Sequence, residues 1–370
     1  MSGNLGLREV FWGKRLELAR EFRGLTQTEL GDGVAASCAL ISLCETGKRR
    51  DPAPDLVEAC GSVLGFAPAF FYGPLEDVFH EDECSFRHRR TTPERMKAQI
   101  RAHATLIGLV IDRLRSLFKF PEINLPRIAA SSAEEIEMAA EQCRQHWNLG
   151  LDTPLLQTGR VLEHAGVIIV RHLVKSTKVD AFSRYGRTTV IFLNQEIQST
   201  SRWNFDIAHE LGHLVMHPGI PTGNIETEKA ANMFASAFLM PRKAFGREFR
   251  MTPFCWDHVF NLKRRWRTSA AAIVKHAYDL GLLGAVEYRK AFKYMSMKGW
   301  TKGEPYEPPF QQPELLENAL NGLGQKVNLT LDALCRELRF TPDTFQDVVG
   351  VPVPSPKANY TDVIRFSGKR

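Results

Sequence analysis

The segment His209-Glu210-Leu211-Gly212-His213 sets two imidazoles and a carboxylate at a spacing that suits a metal. Four residues make about one helical turn, so His209 and His213 stack on one face with rings able to share a divalent ion. Glu210 follows the first histidine and lies about 100° round the helix. That offset keeps it out of the ligand set, yet near enough to take a proton from a water attacking a carbonyl. The surrounding run reads as a helix: Phe205, Ala208, Leu211, Leu214 and Val215 recur at spacings of three and four, and Pro218-Gly219 stops the pattern. The bland alternative is a surface helix that holds no metal.

A catalytic zinc takes three protein ligands and keeps one position open. The segment Glu226 to Pro241 reads as a second helix of apolar and small residues. Glu228, near its start, is the expected third ligand. Asn232 lies one turn later on the same face and can orient a ligand through a hydrogen bond. Glu226 competes for the role, but it sits two residues away and points elsewhere on the helix. His217 lies one further turn along the first helix. Gly219 rules out a three-histidine continuation, which leaves His217 as a helix-end residue or an outer partner.

The pairing of His209-Glu210-Leu211-Gly212-His213 with Glu228-x-x-x-Asn232-x-Phe234-Ala235-x-x-x-Leu239-Met240-Pro241 resembles the ImmA/IrrE metallopeptidases, over roughly residues 150–245. The resemblance implies that His209, His213 and Glu228 hold the metal, that Glu210 is the general base, and that repressor proteins are the typical substrates. Zinc is the default ion for two histidines and a carboxylate, and manganese would also fit.

Other elements must position these residues. Gly166–Val170, Ala181–Ser183 and Thr188–Leu193 read as strands by their β-branched content. They predict a small sheet packed on the motif helix, an α+β arrangement of zincin type. By the resemblance, the 188–193 strand borders the cleft and pairs with an extended substrate. Ser132-Ala133-Glu134-Glu135 opens a helix, and Pro154 to Ala165 reads as another. His146 and His164 read as surface or core histidines. Tyr185, His172 and Arg184 are candidates, by position only, to hold a developing oxyanion.

Residues 10–72 read as a bundle of short helices. Thr26 and Glu29 form a capping-box pattern, and Ser37 can cap the next helix. The run Gly24-Leu25-Thr26-Gln27-Thr28-Glu29-Leu30, followed by Ile41-Ser42, Glu45-x-Gly47-Lys48-Arg49 and Pro52, resembles the XRE-type helix-turn-helix of phage-repressor-like regulators. The resemblance implies DNA contacts from Gln27, Thr28, Ser37, Ser42, Lys48 and Arg49, with the third helix in the major groove. Two features weigh against strong DNA binding. In residues 1–75 eight Lys and Arg stand against nine Asp and Glu, although phosphate contacts dominate DNA affinity. The expected recognition helix, Ser37 to Cys44, lacks Arg, Lys, Asn and Gln, the side chains that read base edges with two hydrogen bonds. Self-association or capture of a protein partner remains open, and a homodimer is compatible with the sequence. The basic stretch 84–120 contains a helix from Thr92-Pro93 to about Leu117. It is either a solvated face or a supplier of phosphate contacts.

Beyond Pro241, helices are expected at 254–267, 269–280 and 285–297, with two more in 313–346. Leu338-x-Phe340-x-Pro342-x-x-Phe345 echoes Leu64-x-Phe66-x-Pro68-x-x-Phe71, a match too short to define a repeat. The expected organisation is 1–75 helix-turn-helix, 76–130 linker and basic helix, 131–250 peptidase-like domain, 251–350 helical extension and 351–370 flexible tail. The seven cysteines are scattered without Cys-x-x-Cys spacing, which argues for reduced thiols in the cytoplasm. No apolar run approaches the roughly 20 residues that span a bilayer, and Met1 to Gly13 lacks a signal-peptide pattern. The net charge of +6 permits nucleic acid binding without showing it.

Overall fold

In the computed structural model, residues 10–75, 84–86, 93–172, 181–184, 188–194, 197–220, 224–250 and 254–350 are described. Tyr185, residues 87–92 near the start of the basic stretch, most of the expected linker and the 351–370 tail lie outside them.

The chain begins with α1 (Gly13–Phe22), α2 (Gln27–Gly33), α3 (Cys38–Glu45), α4 (Pro54–Leu64) and a 3-10 turn at Pro68–Phe71. Local chemistry sets these boundaries. Thr26 Oγ1 accepts from the Glu29 amide at 3.1 Å while Glu29 accepts from the Thr26 amide at 2.6 Å, which closes the expected capping box. Ser37 Oγ caps α3 by accepting from the Leu40 amide. Pro54 starts α4, and Gly65 ends it at φ 75°, a left-handed conformation that favours glycine. Buried Arg20 grips Glu45 with two nitrogens, at 2.6 and 2.9 Å, and so ties α1 to the end of α3. Removing one partner of a buried pair strands the other charge. Glu45→Ala is therefore expected to lower unfolding stability by about 3–5 kcal/mol, measured by urea denaturation.

Next come β1 (Cys84–Phe86), α5 (Glu94–Leu117), α6 (Ala133–His146), α7 (Thr158–His164), β2 (Ile168–His172), β3 (Ala181–Arg184) and β4 (Val190–Asn194). The remainder is helical: α8 (Thr200–Met216), α9 (Ile225–Leu239), α10 (Arg242–Phe249), α11 (Trp256–Trp266), α12 (Ala270–Asp279), α13 (Ala285–Met297), α14 (Leu315–Lys326), α15 (Leu331–Leu338) and α16 (Pro342–Val349). The fold is thus α+β, helix-rich with one small sheet. Helix α7 starts at Thr158 rather than Pro154, and α10 was not expected. The 313–346 region holds three helices instead of two. Left-handed Asn328 and Arg339, at φ 51° and 61°, break the run, and Pro342 restarts it.

The strands lie in the order β1-β3-β4-β2, with β2 and β4 parallel and the other pairs antiparallel. The 188–193 strand was expected to offer a free edge to substrate. It is instead central, hydrogen-bonded to β3 on one side and β2 on the other. Strand addition there is blocked by the protein's own backbone.

Successive residues of a strand point to opposite faces, and here both faces are buried. Ile168, Val170, Phe182, Val190 and Phe192 join a first core, built from α1–α5 and α14–α16. Ile169, Ala181, Ile191 and Leu193 join a second core, built from α6–α13. The stretch 251–350 is divided between them: α11–α13 pack in the second core and α14–α16 in the first. Helix α5 is the spine of the first core. Several of its basic side chains are engaged within the chain. Arg95 pairs with Glu29, Arg113 with Glu337 and Lys97 with Glu94.

In the second core, burial pushes the Glu137 carboxyl of α6 up to about 7. The nearby His276 ring, with Nδ1 3.9 Å away, is itself held by burial at about 4 and so brings no charge at neutral pH. A carboxyl raised in the folded state stabilises the fold when protonated. That contribution is complete below the unfolded value near 4.5 and is lost as pH rises through about 7. Glu137→Gln is expected to remove this loss, gaining up to about 3 kcal/mol over wild type at pH 8 and little at pH 4, measured by denaturation at both pH values.

Candidate metal centre

Helices α8 and α9 bring the three expected ligands together. His209 Nε2 and His213 Nε2 are 3.1 Å apart. Glu228 sends one carboxylate oxygen to each, at 3.4 Å from His209 Nε2 and 3.3 Å from His213 Nε2. Donors at tetrahedral corners with bonds of about 2.0–2.1 Å sit about 3.3 Å from one another. The two imidazoles hold that spacing, and Glu228 faces each ring with a different oxygen, so that one donor atom from each of the three residues lies within 4.8 Å of the others. Among the described residues they are the one His/Cys/Asp/Glu group so arranged. Glu226, the competitor, is exposed and stands outside the group.

The outer nitrogens fix the rings. His209 Nδ1 lies 3.0 Å from Asn232 Oδ1, so this ring donates to the amide oxygen and turns its Nε2 lone pair inward. His213 Nδ1 lies 3.1 Å from His217 Nδ1. Burial and the neighbouring His213 hold His217 down to about 4, so at neutral pH its ring is uncharged and can accept that proton. Burial alone would raise the Glu228 carboxyl. When His209 and His213 carry a proton on Nε2 in place of a lone pair, their hydrogen bonds outweigh burial and keep the group well below the usual carboxylate range. Glu210, beside His209 on α8, is 0% exposed.

Close helix contact makes the convergence possible. A Cβ on Gly212 would lie 3.1 Å from Phe234 Cδ1 and 3.3 Å from Ala231 Cα, so the motif glycine lets α9 approach α8. Gly212→Val is expected to displace α9 and with it Glu228. Titration with a chromophoric zinc chelator should register a loss of about 10- to 100-fold in metal affinity, the range typical of disturbed supporting contacts.

A cleft of about 600 Å³, walled by α9 together with α12 and α13, reaches Glu228 and Asn232, while the buried His209, Glu210 and His213 do not line it. Phe205, Ile225, Met233, Ala272 and Phe292 give it an apolar lining, with Lys229 and Lys275 at hand. Ile225 is 87% exposed at the start of α9. This wall had no signal in the sequence, because it depends on how distant helices pack.

Of the oxyanion candidates, Arg184 is misplaced. It shares the sheet face of Phe182, and its Nη1 reaches α5 near Gly108, on the side away from α8. His172 closes β2. His146 and His164 are both exposed, as read from the sequence, and His146 bonds Asn124.

The residues proposed for DNA lie on α2, on α3 with its N-cap and on the turn after it, at the surface of the part of the chain that builds the first core. Thr28, Ser37, Lys48 and Arg49 are exposed and Ser42 is half-buried. Gln27 Nε2 donates to Glu45 Oε2 at 2.7 Å, so its amide serves the Arg20–Glu45 pair. Among large apolar side chains, Leu43 on α3 is exposed.

Residues 162–278 match the family model of the IrrE N-terminal-like domain, Peptidase_M78. This span runs from α7 through α12 and contains every member of the candidate centre. It extends beyond residue 250, where sequence patterning placed the end of the domain. The match supports a metallopeptidase-like function for this part of the chain. A search of curated proteins found no match. Among the described residues, no helix is long and apolar enough to cross a membrane.

Proposed function

We propose that the protein is a zinc-dependent endopeptidase that cleaves a regulatory protein of repressor type, with manganese an acceptable substitute. The observation that carries this reading is the convergence of His209, His213 and Glu228 at metal-site spacing, with the buried carboxylate of Glu210 alongside. When bound, the divalent ion supplies Lewis acidity for the scissile carbonyl and makes a water more acidic. Asn232 and His217 keep the two imidazoles aimed inward. Glu210 takes the proton of the attacking water and passes it to the leaving amine. The cleft along α9 holds the substrate chain.

In this reading the N-terminal helices form a helix-turn-helix that binds DNA or a protein partner in the cytoplasm, and the substrate is a repressor acting in trans or the chain itself. The exposed Leu43 and the engaged Gln27 favour a protein partner for α3. The second reading is a regulator that binds DNA without significant hydrolysis. Incubating the purified protein with zinc or manganese and candidate repressors separates the two. Fragments that fail to appear with Glu210→Gln support the enzyme. A gel shift on the upstream promoter that is lost with Lys48→Ala, without any cleavage, supports the regulator.

A further inference from the structure

We infer that residues 330–349 are a degenerate second copy of residues 56–75, paired with the first copy across a local two-fold so that the chain supplies its own dimer partner. The motif echo is matched in backbone detail. Helix α4 ends in left-handed Gly65 at φ 75° and ψ 27°, and α15 ends in left-handed Arg339 at φ 61° and ψ 28°. The next residue in each copy bonds back five positions: Phe66 N to Gly61 O at 3.0 Å, and Phe340 N to Cys335 O at 2.9 Å. One extended residue follows, Ala67 or Thr341, and then a proline opens the next helical segment, Pro68 or Pro342. Phe71 and Phe345 each fill the core.

The relation between the copies is what matters. Phe66 and Phe340, equivalent residues, form an antiparallel bridge with each other, and their rings meet edge to face at 5.7 Å. An element that pairs antiparallel with its own equivalent lies on a two-fold axis, as in an isologous dimer. Contacts that are not themselves equivalent flank the bridge and hold the second copy in place. Arg339 Nη1 donates to Ala69 O and Tyr72 O on the first copy. Arg23 reaches Thr344 and Asp347 on the second, at 2.7 and 2.6 Å. Thr341 Oγ1 closes the seam by donating to Gly65 O at 2.6 Å.

A surface that accepts a copy of itself in cis is self-complementary, so its partner in trans is a second copy of this chain. The C-terminal copy carries no counterpart of α2 and α3. The intact protein is therefore monovalent: it seals the self-association face while presenting α3 once.

The test uses full-length protein. Phe66→Cys/Phe340→Cys, oxidised, should give a cross-link within one chain, running as a monomer on a non-reducing gel. Covalent dimers as the main product would overturn the inference. In sedimentation the wild type should be a monomer, and a wild-type dimer dissociated by Phe66→Asp would also overturn it. Arg339→Ala/Phe340→Ala/Thr341→Ala should loosen the C-terminal copy and double the sedimenting mass, and adding Phe66→Asp should restore the monomer. A loosened copy, shown by proteolysis within 327–349, in a chain that stays monomeric would refute self-complementarity.

Discussion

The Glu210→Gln protein is expected to lose peptide hydrolysis by about 10²- to 10⁴-fold, the usual worth of a positioned general base, while still taking up one divalent ion per chain. The substitution keeps the size of the side chain and removes its basicity. The ligands are untouched: His209 and His213 turn Nε2 toward Glu228, and their outer nitrogens are held by Asn232 and His217. Metal stoichiometry and rate are read separately, by elemental analysis and by cleavage of a repressor substrate. Full activity in this variant would remove Glu210 from the mechanism. A loss of both metal and activity would assign it to the ligand set.

Glu228→Ala should act on the other half of the problem. It removes the only acid in the group formed by the two histidines, and two neutral imidazoles hold a divalent ion poorly without it. The expected fall in zinc affinity is about 100-fold or more, beyond the 10- to 100-fold expected of an outer partner such as Asn232→Ala. Isothermal titration at pH 7 measures both. Because an ion that binds only the folded chain raises its stability in proportion to RT ln(1 + [L]/Kd), the zinc-dependent rise in melting temperature should also shrink in the same order: wild type, Asn232→Ala, Glu228→Ala. If Asn232→Ala proves as damaging as Glu228→Ala, the ligand assignment is wrong.

The centre was legible in the sequence because its parts are local. Two histidines a turn apart, a glycine between them and a helix of small residues with an acid near its start are all patterns of one helical period. The geometry adds the His213–His217 contact, which the sequence left between two roles. What failed was non-local. Strand 188–193 looks the same by composition whether it is an edge or a centre, and its place between β2 and β3 depends on partners that its own residues do not name. Strand β1 is three residues inside a basic run, and its partner β3 lies about a hundred residues on. The basic content of α5 left a solvated face and phosphate contacts open, and did not show that its apolar side is the spine of the first core or that Arg95 and Arg113 pair with Glu29 and Glu337. The echo between 64–71 and 338–345 was visible as letters, but eight positions carry too little information to separate a repeat from chance. The matching helix ends and the bridge between Phe66 and Phe340 give it weight.

The first core draws its residues from both ends of the sequence, 11–114 and 316–349, with only the sheet between. That division has a cost during synthesis. When Phe66, Phe70 and the length of α5 leave the ribosome, the helices that will cover them have not been made. At about 5–20 residues per second, Phe340 follows Phe66 by roughly 15–50 seconds. For that interval the nascent chain carries a bare apolar face shaped to receive its own kind, so polysomes translating this message are where misassembly between neighbours, and the demand for chaperones, should concentrate.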